Sequence, residues 1–223
     1  MTEKEKMLRG MLYDANDSAL CADRVRAKEL CHAYNQLRPS DAAGMRELLR
    51  RLLGETGETF CVTAPFWCDY GYNIRLGEHF YANHNLVILD CAAVTFGEHV
   101  FVAPNCGFYT AGHPIDAERR ERGLEYAYPI TVGDHVWIGG GVQVMPGVTI
   151  GSNVVIGGGS VVVKDIPSDS VAVGNPCRVI RPITEADKQT GVNYLFIVSG
   201  YAGGLTPLLD AEGKPVVTKE TAD

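Results

Sequence analysis

From residue 132 the chain repeats itself every six residues. An aliphatic residue opens six consecutive units, at Val132, Ile138, Val144, Ile150, Ile156 and Val162. Glycine often takes the second place of the unit, and a small or β-branched residue the fifth. Looser units open at Ala64, Tyr70, Leu76, Ala82 and Ile88; after a two-residue slip the register resumes at Phe96, Val102 and Phe108. An α-helix cannot hold a strict period of six, because 3.6 does not divide it. A half-buried strand alternates with period two. A six-residue period with recurrent glycine suits short strands joined by tight turns. Each aliphatic side chain then points inward, three units close a triangular coil, and stacked coils share one core. The expectation is a β-solenoid; six regular units in succession exclude a glycine-rich disordered segment.

The flanks differ. Residues 1–58 read as a helical segment: Val25, Leu30 and Tyr34 recur among charges, Pro39-Ser40 stops and caps, and Met45, Leu48, Leu49, Leu52 and Leu53 follow at helical spacing until Gly54. Residues 59–183 carry the repeat, interrupted by a polar insert at about 110–130, TAGHPIDAERRERGLEYAYP. Such an excursion from a solenoid is surface decoration or a functional loop. Residues 184–223 read as an extension, either an extra hairpin or arm or a partly disordered tail.

Composition narrows the function. A formal net charge of −7 argues against a general nucleic-acid binder, so an anionic ligand needs a local basic patch. The start, MTEKEKMLRG, has no apolar core of a signal peptide. The apolar runs are too short to span a bilayer. Seven cysteines, at 21, 31, 61, 68, 91, 106 and 177, are scattered without a CxxC pair and read as reduced, mostly buried thiols. A cytoplasmic protein is expected. At the base of the insert stands His113, between Gly112, which allows a special backbone angle, and Pro114, which stiffens the loop. An imidazole there suits general-base chemistry near neutral pH.

The hexapeptide repeats, FYANHN at 80–85, GHPID at 112–116, VWIGGGV at 136–142 and VKDIPSDSVAVGNPCRVIR at 163–181 resemble the sugar O-acetyltransferases that use acetyl-CoA, the maltose and galactoside enzymes. TEKEKMLRGMLYDANDSAL near the start and CDYGYNIRLG at 68–77 resemble the maltose branch most. The resemblance covers residues 2 to about 183. It implies a left-handed parallel β-helix and a homotrimer with active sites between neighbouring subunits. It implies acetyl-CoA as co-substrate, no metal, and a maltose, glucose or galactoside-like acceptor. It implies His113 as the catalytic base and Asn83 as the residue that binds the acceptor hydroxyl. Asp69, Glu125 and Asp14 match acceptor contacts, and Tyr81 lines that site. For CoA it implies Trp137 against the pantetheine arm and the Gly140 N–H on the thioester carbonyl. Gly158, Val163 and Lys164 match pantetheine and adenine positions, and Lys164, Arg178 and Arg181 form the basic patch. Cys91 stands where the galactoside type has an acidic residue and Glu125 where it has methionine, which leaves the sugar open. Two readings compete: a γ-carbonic-anhydrase-like zinc enzyme using His79, His99 and His135, which share one corner position of the repeat, and a non-catalytic trimeric scaffold. A cysteine nucleophile at Cys91 or Cys106 is a third idea, which packing of small residues explains better.

Overall fold

The computed structural model describes residues 1–185 and 187. The expected C-terminal extension falls almost wholly outside these residues. The described part is a parallel β-solenoid of about six turns behind a short helical segment.

The solenoid has three faces. One carries Glu55–Thr56, Ile74–Leu76, Val94–Phe96, Ile130–Val132 and Thr149–Ile150. The second carries Phe60–Val62, Phe80–Ala82, Phe101–Val102, Trp137–Ile138, Val154–Ile156 and Ser170–Val173, with Arg178–Pro182 added antiparallel at its end. The third carries Phe66–Cys68, Leu86–Leu89, Gly107–Tyr109, Gln143–Val144 and Val161–Val162. Most strands bury two side chains around one that faces outward, as in Phe60-Cys61-Val62 and Ile74-Arg75-Leu76. The fifth and first places of the hexad are therefore both inward. The three faces bring these inward residues together in the core: Phe80 of the second face and Phe108 of the third pack on Phe96 of the first, each with centroids 4.9 Å apart.

The turns explain the rest of the unit. The residue three places after the inward aliphatic takes a left-handed conformation, at His79, Asn85, His99, Asn105, His135, Gly141, Gly147, Asn153, Gly159 and Asp169. Glycine, asparagine and aspartate tolerate that region best, and histidine is enriched there. The second-place glycine has another cause, close stacking. A Cβ on Gly77 would lie 2.3 Å from the carbonyl oxygen of Gly97 in the next coil.

The earliest register differs from the sequence expectation. Val62 and Cys68, not Ala64 and Tyr70, are the inward residues of the first coil. Ala64 lies in a turn, partly buried against the core, and Tyr70 is buried in a separate cluster. From Cys68 to Leu76, as from Ile88 to Phe96, the turn is two residues longer than the hexad allows. Both long turns lie on the edge that later emits the 110–130 insert, so consecutive pairings such as Phe60 with Phe80 and Ile74 with Val94 stay aligned.

The helices are α1 (Glu3–Leu8), α2 (Ser18–Gln36) and α3 (Ala42–Leu52). Thr2 and Glu5 form a reciprocal capping box on α1. Asp17 caps α2, and Asp41, rather than Ser40, caps α3 through the Gly44 N–H. Between α1 and α2 a strand, Tyr13–Asp14, pairs antiparallel with Leu124–Ala127 of the insert. Val25, expected on the apolar face of α2, is 59% exposed, whereas Ala27, Cys31 and Tyr34 are buried. Met7, Tyr13, Leu20, Tyr70, Cys91, Ala92 and Ala127 form a second small core that joins the N-terminal segment, the long turns and the insert.

Candidate active site

The three long connections on the loop edge stack on one another. Asp90, fully buried, accepts backbone N–H bonds from Asp69 (3.1 Å), Tyr70 (2.8 Å) and Asn73 (3.3 Å). Asn73 Nδ2 donates to the Asp90 carbonyl at 2.7 Å. Thr110 Oγ1 donates to the Leu89 carbonyl at 2.6 Å and accepts the Ala92 N–H at 2.9 Å. Burial pushes the Asp90 carboxyl up to about 7 against these N–H donors, and also raises Asp69 above the ordinary carboxylate range. The thiol of Cys91 lies 3.7 Å from Asp69 Oδ2, and burial raises it well above a free thiol.

Above this stack the insert leaves as Ala111–Gly112, turns through a short helix, Ala117–Glu121, capped by Asp116, and returns as Leu124–Ala127. The outgoing and returning strands pair, Gly112 opposite Tyr126. His113 follows directly. Its Nδ1 lies 3.4 Å from the Leu124 carbonyl and its Nε2 3.8 Å from Glu125 Oε1. The other Glu125 oxygen accepts the Tyr13 hydroxyl at 2.6 Å. An open cavity of about 400 Å³ brings His113, Glu125 and Asp69 together with Leu89, Tyr109, Ala111, Gly112, Met145 and Pro146. Asp14, next to Tyr13, pairs in register with Leu124, but its carboxylate accepts the Asn16 N–H at 2.9 Å.

The remaining candidates lie elsewhere on the triangle. Asn83 sits on the edge between the second and third faces, its Oδ1 accepting the His84 N–H at 2.7 Å, which leaves Nδ2 as the donor available to a ligand. Gly140 and Gly158 stack on the same edge: Gly141 N–H bonds the Pro104 carbonyl and Gly159 N–H the Gly140 carbonyl. A Cβ on Gly140 would meet nothing nearer than 3.5 Å, so its backbone is open to approach. Tyr81 and Trp137 point outward from the second face on either side of Phe101, exposed by 37% and 47%. Arg178 lies exposed on the last strand of that face. Arg181, three residues further along the same strand, pairs opposite Val171. Val163 and Lys164 return to the loop edge, at the turn below Met145 and Pro146.

Within one chain, therefore, the base and the Asn83–Gly140 edge bound opposite sides of the third face. At about 3.3 Å per residue, the Leu86–Leu89 strand alone separates them by roughly 13 Å. Sequence reasoning passed over Tyr13, Asp90 and Tyr109. Their only sequence signals are a polar residue at each point where the hexad slips and the alternation Tyr13-Asp14.

The zinc arrangement is absent. His79, His99 and His135 stack face to face, with centroids 4.5 and 5.1 Å apart and planes 21° and 9° apart. Parallel rings on one column do not aim their nitrogens at one point. No cluster of three or more histidine, cysteine or carboxylate side chains among the described residues could hold a metal ion.

Known proteins share this sequence pattern and this fold. The maltose acetyltransferase hexapeptide capping motif matches residues 6–57, and the bacterial transferase hexapeptide of six repeats matches residues 129–164. A family of unknown function matches residues 174–218. An acetyltransferase homologue from Saccharomyces cerevisiae is 57% identical over 191 residues, which is 85% of this chain and 97% of that protein. This chain belongs to the maltose and galactoside O-acetyltransferase family. A maltose O-acetyltransferase from Clostridium difficile superposes with a TM-score of 0.82 at 51% identity, covering 83% of this chain and 99% of that one. A galactoside acetyltransferase in complex with coenzyme A superposes at 0.84 and 42% identity, covering 89% and 100%. This acetyltransferase contains no helix, among its described residues, long and apolar enough to cross a membrane.

Proposed function

We propose that this acetyltransferase moves the acetyl group of acetyl-CoA onto a hydroxyl of a maltose, glucose or galactoside-like sugar, with His113 as general base. The observation that carries the reading is the placing of His113: an imidazole at an open cavity, with Nδ1 facing a backbone carbonyl. A proton on Nδ1 directed at Leu124 leaves the Nε2 lone pair free to accept one. Nε2 takes the proton of the sugar hydroxyl as its oxygen attacks the thioester carbonyl. The Gly140 N–H holds the oxyanion that develops. Collapse of the tetrahedral species breaks the C–S bond, and the imidazolium returns its proton to the departing thiolate.

Asp69 and Glu125 at the cavity, with Asn83 and Tyr81, orient the sugar. Trp137, Gly140, Gly158 and Val163 line the pantetheine and adenine, and Lys164, Arg178 and Arg181 hold the phosphates. Because these groups lie on two edges of the triangle, we infer a homotrimer in which the His113 edge of one subunit faces the Asn83–Gly140 edge of the next. The seven cysteines, none in a disulfide, fit a cytoplasmic setting. The deciding experiment follows thiol release from acetyl-CoA across a panel of mono- and disaccharides, with amines as controls. Release stimulated by glucosyl or galactosyl acceptors is expected. Release stimulated only by amines would overturn the acceptor class.

A further inference from the structure

We propose that Tyr13, contributed by the N-terminal segment, is a positioning residue: its buried hydroxyl fixes the Glu125 carboxylate, and Glu125 steadies the His113 imidazole and the cation it becomes. The inference rests on the acetyl-transfer reading of the same site and deepens it.

The local fold sets this up. Chain direction reverses after α1 at Gly10, which has a φ of +68°. Asp14 N–H is then tied to Glu3 Oε2 at 2.7 Å. The two-residue strand that results places Tyr13 directly opposite Glu125 on the returning strand of the insert. Tyr13 is completely buried in the second core, beside Cys91. Burial, with Cys91 and Glu125 alongside, holds the phenol far above its ordinary range, so it stays a neutral donor. Its 2.6 Å bond therefore engages one carboxylate oxygen permanently and leaves the other aimed at His113 Nε2, 3.8 Å away. That distance is too long for a direct hydrogen bond, and is short enough for an anion to stabilise imidazolium or to accept a neighbouring sugar hydroxyl.

A carboxylate pinned by a buried phenol cannot rotate away from the base as the sugar enters. Preorganisation of this kind acts on the transition state, where the imidazole carries a charge, more than on binding of the neutral sugar. Glu125 is thus more than a sugar contact, and the N-terminal segment is more than a cap on the solenoid.

Four groups surround the imidazole and its partner. Asp69 and Tyr109 line the cavity, Cys91 lies behind Tyr13, and Arg120 on the short helix bonds the Pro114 and Ile115 carbonyls at 3.0 and 2.9 Å. All four are unchanged in the variants that test the idea.

Those variants are Tyr13→Phe, which keeps the ring and its packing, Glu125→Gln, and the double substitution. Tyr13→Phe is expected to lower kcat about tenfold while leaving the KM for acetyl-CoA unchanged. In the Glu125→Gln background the same change should have no further effect, because Tyr13 acts through the carboxylate. A substrate-free NMR spectrum of the His113 ring at fixed pH should change in Tyr13→Phe, because the released carboxylate no longer holds its place beside Nε2. Wild-type kcat and a wild-type His113 ring spectrum in folded Tyr13→Phe would overturn the inference, as would full additivity in the double variant. His113→Ala separates the two claims: if that variant retains full activity, the general-base reading fails, while the His113 ring spectrum of Tyr13→Phe still reports on the Tyr13–Glu125–His113 chain.

Discussion

Replacing Asp90 with asparagine should flatten the pH dependence of folding in a defined direction. Asp90 is buried and its folded carboxyl is pushed up to about 7, whereas an unfolded aspartate titrates near its ordinary value of 3.8. Between those values the folded chain holds a proton that the unfolded chain has lost. Its contribution is therefore complete below about pH 4 and disappears as pH rises toward about 7. A shift of this size corresponds to about 4 kcal/mol across the window, at up to about 1.4 kcal/mol per pH unit. Asparagine is neutral throughout and retains an acceptor for the Tyr70 N–H, which lies at 2.8 Å in the wild type. Its Oδ1 can serve the Asp69 N–H as well, since both N–H groups bond one Asp90 oxygen, but its Nδ2 cannot accept from the Asn73 N–H, so the variant starts less stable at pH 5, by about 1–3 kcal/mol for a buried donor left without an acceptor. The gap should close or invert by pH 8. Urea unfolding midpoints at fixed protein concentration, at pH 5 and pH 8, measure this. Asp69 is raised by the same burial and its charge adds to the rise at Asp90, so the difference between the two proteins reports Asp90 together with its coupling to Asp69. Two curves that stay parallel across the range would refute the reasoning.

Other outcomes follow from the same geometry. Phe108→Ala, at a fully buried ring packed on Phe96, should cost about 3–5 kcal/mol in unfolding free energy. Gly77→Ala should destabilise the fold by about 1–3 kcal/mol, because its Cβ would press on the Gly97 carbonyl. Gly140→Ala, with open space at its Cβ, should leave the melting temperature unchanged and raise the KM for acetyl-CoA. Alanine at Lys164, Arg178 and Arg181 should also raise that KM; a change confined to the sugar KM would reassign the patch. Mixing subunits of His113→Ala with subunits of Asn83→Ala should restore activity that neither homo-oligomer has, since some interfaces then pair two intact edges; no restoration would place each site within one chain.

The solenoid was legible because its inward aliphatics recur without fail from Val132 to Val162. The first coil was not, because Phe66-Trp67-Cys68 is followed by a longer turn in which Tyr70-Gly71 mimics the opening pair of a hexad; apolar Ala64 and Tyr70 happened to fall six apart. Tyr70 is buried for a different reason, in the core beneath the N-terminal segment. His113 could be singled out because a histidine between glycine and proline interrupts a regular repeat. Glu125 is an acceptor contact only through the family resemblance; nothing in its own charged loop sets it apart. Its partner Tyr13 lies 112 residues away, and only the pairing of a two-residue strand brings them together. Asp90 was silent for a similar reason: its bonds go to backbone N–H groups, which no side-chain pattern encodes. The split of the candidate residues between two edges is a property of the triangle and cannot be read from spacing before the corners are assigned.

The central claim is that His113 removes the proton from the acceptor hydroxyl. Turnover by His113→Ala, measured beside acetyl-CoA binding by calorimetry, tests it most directly. General-base catalysis is worth about 10²–10⁴-fold, so kcat should fall by that factor while the affinity for acetyl-CoA stays at the wild-type value. A folded His113→Ala protein with undiminished kcat would contradict the account.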